Sequence, residues 1–174
     1  MKGPRPLLQS TLSLLLPLST TFITWKGLCL LTNSSRPIVC VVSESMAPAF
    51  HRGDILVLWN WTRSVEPGDI PVVWFGDNPL PMVHRVLHVS TYNTKQGHDS
   101  PSTTQIFLTK GDNNLLNDVA LYPEDRTSVL RKEVVGFVRG YVPLVGWIVI
   151  GMQELSWVKP VVFVLVAITV LFST

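Results

Sequence analysis

The sequence is short of charge. Charged side chains make up 15% of its 174 residues, against about 25% in an average soluble domain. No acidic residue precedes Glu44, and the only charges before it are Lys2, Arg5, Lys26 and Arg36. The net charge of +2 is too weak a field to bind a phosphate backbone, which excludes nucleic acid as a partner. Two cysteines, Cys29 and Cys40, are too few for a disulfide framework or a four-cysteine zinc site. Disorder is excluded from the other side. Hydrophobic residues reach 47% and the mean hydropathy is +0.32, the reverse of a disordered composition. The length allows one ordinary domain with a little to spare.

What is present is apolar sequence at both ends. An uncharged run extends from Pro6 to Trp25 and continues past Lys26 as GLCLLTN. A bilayer core takes about 20 apolar residues in helical form, so residues 6–32 are predicted to be a transmembrane anchor. Residues 1–5 form a short basic start, which favours a cytosolic N-terminus and a single type II span. The run is longer than a signal-peptide core, and no clear small-x-small cleavage site follows it, so the anchor is expected to be retained. The other end, residues 141–174, carries VVFVLVAITVLF after Lys159 and Pro160. That run is short for a span and is expected to be membrane-associated. Lipid is therefore an expected partner.

Between about Pro37 and Arg139 the pattern changes. Short runs rich in Val, Ile, Phe and Trp (PIVCVV, DILVLWNW, PVVWF, MVHRVLHV, TQIFLTK, VVGFVRGYV) alternate with Gly, Pro, Asp and Asn. This predicts a mainly β domain of short strands over residues 37–140. Tyr92 to Thr104 reads as a mobile polar loop. Asn33 and Asn60 begin Asn-x-Ser/Thr tripeptides and are glycosylation candidates. Cys29 and Cys40 read as unpaired apolar fillers. No metal ligand set or organic cofactor is expected.

Three segments carry candidate chemistry. Ser43-Glu44-Ser45-Met46 follows an apolar strand and runs on through Pro48 to His51-Arg52-Gly53-Asp54. His84-Arg85 lies within a strand pattern. Thr109-Lys110-Gly111-Asp112-Asn113-Asn114 precedes Asp118. A serine hydroxyl needs a base to become a nucleophile, and the base needs a group to orient it. Ser45, His84 and an aspartate supply those types, but spacing alone does not choose between Asp112 and Asp118. Alternation puts His88 on the same strand face as His84, and Arg52 is expected to pair with Asp54 in its turn.

With S-x-S-M-x-P-x-F, R-G-D, H-R and G-D-N-N in this order, the chain resembles the type I signal peptidase family. The likeness extends from Trp25-Lys26-Gly27 to Arg139-Gly140. His84 stands where bacterial members carry lysine, which resembles the endoplasmic reticulum branch. The resemblance implies a signal-peptidase-like β domain and a serine endopeptidase that removes signal peptides in the lumen. It implies partner subunits in a complex and preproteins as substrates. By the same resemblance Ser45 matches the nucleophile, His84 the base and Asp118 the relay aspartate. Asp112 matches a support for His84 and the local fold, and Ser43 an oxyanion donor. Two positions depart from the family. Glu44 stands where glycine is usual, so a charged residue is expected in a glycine-like conformation, and Ala47 replaces an acidic residue. The Glu44 departure gives weight to an alternative, a catalytically silent scaffold or substrate-binding subunit. A secreted β-domain binding protein with a cleaved leader is a second alternative.

Overall fold

The computed structural model describes residues 4–76, 80–94, 102–123 and 126–155, with isolated positions beyond. The chain opens with helix α1 (Pro4–Thr32). Its stretch Thr11–Thr32 has 22 residues, a mean hydropathy of 1.5 and no packing against the rest of the protein in its most apolar part. Several hydroxyls in it bond back to carbonyls of the preceding turn, including Thr21 to Pro17 at 2.7 Å and Thr24 to Thr20 at 2.8 Å. Polar side chains satisfied this way are tolerated in an apolar helix. The helix ends at Asn33, which takes the left-handed conformation at φ 52°.

Among the described residues eight strands follow: β1 (Ile38–Cys40), β2 (Ile55–Trp59), β3 (Pro71–Val73), β4 (Met82–Val83), β5 (Arg85–Thr94), β6 (Ser102–Lys110), β7 (Val129–Leu130) and β8 (Val134–Val142). One sheet runs β1-β2-β8-β3-β4 and the other β5-β6-β7. The fold is mainly β with one N-terminal helix able to cross a membrane. All six predicted apolar runs contain strands, and β7 is an addition too short to show a period. The predicted loop from Tyr92 to Thr104 is narrower than expected. Strand β5 continues to Thr94 and β6 begins at Ser102, because the two pair through Thr94 and Ser102. Residues 95–101, with the mobility expected there, lie outside the described residues, as does most of Val161–Phe172.

Two apolar clusters hold the sheets. Val41, Met46, Phe50, Leu56, Leu58 and Val72 pack beneath the Ser43–Ser45 loop. Phe75, Val86, Phe107, Val129, Val134 and Phe137 are among those that fill the space between the sheets. Leu56, Leu58 and Phe137 are fully buried, and each such side chain contributes about 1.5–3 kcal/mol. The end of α1 is tied directly to the sheets. Asn60 N–H donates to Thr32 at 2.8 Å, Trp61 Nε1 to Leu31 at 2.9 Å, and Ser34 Oγ to Val135 at 2.9 Å. Both sequon asparagines sit at this joint. Asn33 Nδ2 donates to the Asn60 carbonyl and Arg131 donates to Asn60 Oδ1.

After β8 the chain turns into helix α2 (Trp147–Glu154). The Trp147 ring packs on Gly53, where a Cβ would collide with it and where φ is +94°. Glycine is required at that position on both counts. The expected Arg52–Asp54 pair does not form. Arg52 instead pairs with Glu154 of α2. Buried Asp54 accepts the backbone N–H groups of His51 at 2.9 Å and Leu144 at 3.1 Å. A short aspartate next to free amides caps them in preference to reaching a neighbouring guanidinium.

Candidate active site

The Ser43–Ser45 loop leaves the end of β1 over the Met46 and Phe50 side chains, with a cis peptide bond between Ala47 and Pro48. Burial of Met46 and Phe50 turns the Ser45 hydroxyl outward. His84 lies between β4 and β5 and is buried. Asp118 opens a short 3-10 turn, Asp118–Leu121, and is 1% exposed. These three elements converge. Asp118 Oδ2 lies 2.6 Å from His84 Nδ1, and His84 Nε2 lies 2.9 Å from Ser45 Oγ. A carboxylate only accepts, so Nδ1 carries the proton and donates to Asp118. That leaves Nε2 as the acceptor for the Ser45 hydroxyl. Such an arrangement is able to take the serine proton and stabilise the resulting imidazolium.

Asp118 is held from behind. Thr109 Oγ1 donates to its Oδ2 at 2.7 Å. The Tyr122 hydroxyl accepts the Thr109 N–H at 2.9 Å and lies 3.0 Å from Thr109 Oγ1. Burial pushes the Tyr122 phenol above its ordinary range, so it stays a neutral donor. Asp118 Oδ1 has no hydrogen-bond partner among the described residues. Ser43 Oγ lies 3.2 Å from Ser45 Oγ, on the open side of the site.

The other aspartate behaves differently. Asp112 makes no hydrogen bond to His84; both of its oxygens receive Arg85, at 2.8 and 2.7 Å. The guanidinium holds its carboxyl below the usual carboxylate range. His88 does not share the face of His84. A register shift between Val86 and His88 interrupts the alternation, leaving His84 buried and His88 exposed. Glu44 takes no glycine-like conformation either. The non-glycine residues with positive φ among those described are Asn33 and Leu144.

The site opens into a cleft of about 390 Å³, lined by Val42, Ser45, Phe50, Met82, His84 and Leu121 among others. Strands β1 and β4 are the opposite edges of their sheet, yet Cys40 of β1 and Met82 and Val83 of β4 line the same cleft. The sheet therefore curls until its two free edges approach each other. No group of His, Cys, Asp and Glu able to hold a metal occurs among the described residues.

No family model matches the chain. Curated relatives do. The signal peptidase complex catalytic subunit SEC11 of Paracoccidioides brasiliensis (strain Pb03) is 43% identical, over 92% of this chain and 89% of its own. That of Ajellomyces dermatitidis is 44% identical over the same shares. The subunit of Emericella nidulans is 40% identical over 99% of this chain and 95% of its own. The chain belongs to the family of signal peptidase complex catalytic subunits. It is accordingly an enzyme, of the serine endopeptidase type.

Within this site, sequence reasoning named Thr109 without giving it a role and missed Tyr122. One signal was available. Phe107 and Thr109 share the inward face of β6, and a fully buried threonine there needs polar partners. Asn113 was named only as part of its turn, with no contact to the serine loop foreseen. Its N–H donates to the Ser45 carbonyl at 2.9 Å, and its Nδ2 to the Glu44 carbonyl at 3.1 Å. No local pattern announces that contact, because its partners lie in another loop.

Proposed function

We propose that the chain cleaves signal peptides from nascent secretory and membrane proteins, with Ser45 as nucleophile, His84 as base and Asp118 as the orienting carboxylate. The observation that supports this most is the unbroken line of bonds from Asp118 through His84 to Ser45, at the floor of a cleft with two free strand edges. An extended preprotein segment adds as a strand along β1 or β4, main chain to main chain. Small side chains before the scissile bond suit the shallow apolar walls.

His84 Nε2 takes the Ser45 proton as Oγ bonds to the scissile carbonyl carbon. The oxyanion is met by the Ser45 N–H and the Ser43 hydroxyl; one such donor is worth about 3 kcal/mol. The C–N bond then breaks, and the leaving amine takes the proton from His84. That amine is the new N-terminus of the mature protein. Water, deprotonated by His84, cleaves the acyl ester and frees the signal peptide. The reaction needs no cofactor.

Residues 6–32 span the endoplasmic reticulum membrane once, with residues 1–5 in the cytosol and the β domain, residues 37–140, in the lumen. Residues 141–174 associate with the membrane, which suits the exposed Leu144, Trp147 and Ile148. Other complex subunits are its partners. Asn33 and Asn60 are glycosylation candidates on their tripeptides alone, and a glycosidase-induced gel shift decides their occupancy.

The deciding experiment is Ser45→Ala, expressed in membranes lacking any other catalytic subunit, with a reporter preprotein as substrate. No processing is expected. Processing at a normal rate would remove Ser45 from the role and revive the scaffold reading.

A further inference from the structure

Glu44 stands between the two serines of the cleft, but its side chain points away from them. Its Oε1 accepts the Arg52 backbone N–H at 3.0 Å, and its Oε2 lies 3.0 Å from His51 Nδ1. The Arg52 guanidinium continues outward, pairing with Glu154 and lying 5.3 Å above the Trp147 ring. From a different segment, Asn113 donates to the Glu44 and Ser45 carbonyls. The loop is thus held from two directions, by main-chain oxygens toward Asn113 and by one carboxylate toward the His51–Arg52 turn.

We infer that Glu44 is a positioning residue for the nucleophile. Serine has one side-chain torsion, so where Oγ lies relative to His84 is set almost wholly by the backbone beneath it. With the carboxylate removed, the loop is left to pivot about Asn113, and the 2.9 Å contact between Ser45 and His84 loses its restraint. The neighbouring Ala47 has no polar group to replace it. The Glu44 side chain is 52% exposed, so losing its bonds affects folding little. The loss falls on the chemical step, where small misplacements are costly.

This assignment rests on Ser45 being the nucleophile. The test uses the full chain in its assembled complex, comparing Glu44→Ala, Glu44→Gln, His51→Ala and Ser45→Ala for kcat, KM and melting temperature. Glu44→Ala is expected to lower kcat about tenfold, with KM within about twofold and melting nearly unchanged. Glutamine offers an oxygen to Arg52 and an N–H to His51, so Glu44→Gln returns kcat to within about threefold. His51→Ala removes one bond of the two without altering the serine loop, and is expected to lower kcat about threefold. Full kcat in Glu44→Ala, an equal loss in Glu44→Gln, or a loss confined to KM would each overturn the inference. A dead Ser45→Ala beside a fully active Glu44→Ala removes the clamp alone; an active Ser45→Ala removes the nucleophile reading beneath it.

Discussion

Asp112 and Asp118 belong to one connection after β6, and their surroundings have little in common. Asp112 sits at the rim, its side chain 21% exposed, spread across the Arg85 guanidinium. Asp118 is 1% exposed and receives His84 and Thr109. The rim pair exchanges water for a cation in a high-dielectric setting, so little is gained or lost. The interior carboxylate has no water to fall back on, so each donor it receives counts for more. The same residue type therefore serves local structure in one place and orients a base in the other, and exposure decides which.

The comparison breaks most visibly at Asp118. Asp118→Asn places an amide against His84 Nδ1 and favours the wrong ring tautomer, so kcat is expected to fall by about 10³-fold or more. A loss under tenfold, in a reporter-cleavage assay on folded protein, would put Asp118 on the same footing as Asp112. Thr109→Val keeps the shape but removes a donor from the buried carboxylate. It is expected to destabilise the fold by about 1–3 kcal/mol in chemical denaturation, and unchanged stability would show that the interior carboxylate does not depend on that bond. Asp112→Asn is expected to cost at most about 1 kcal/mol and to leave most of the activity.

The smallest effect is a pH dependence. Arg85 lowers the Asp112 carboxyl below its ordinary value, so the pair's stabilisation is fully present above the unfolded aspartate pKa of about 3.9 and is lost as pH falls through the lower folded value. Asp112→Asn should flatten the acid side of a melting-temperature profile below about pH 4. An identical slope in both proteins would mean that the Arg85 contact contributes nothing.

The two aspartates also mark where the sequence stops being legible. Both were visible as candidates, and a strand-end serine and a strand histidine were visible beside them. Which aspartate faces His84 depends on the 3-10 turn that follows Asn117 and swings Asp118 inward. His84 and His88 appear equivalent by alternation, and the register shift after Val86 separates them. Glu44 raised the expectation of a glycine-like backbone because its neighbours are read along the chain. The turn at His51 and Arg52, which receives its carboxylate, becomes a neighbour only on folding.

The sequence by itself determined the acid-free apolar helix, the run of short strands and the residue types available for chemistry. Those follow from hydrophobic period, turn residues and length, all of which act over a few residues at a time. Tertiary structure decided the rest. It curled one sheet until both of its edges lined one cleft, and it brought Ser45, His84 and Asp118 into hydrogen-bond contact from three separate segments. A relay of this kind requires distances near 3 Å between groups far apart in the chain, and only long-range packing sets such distances.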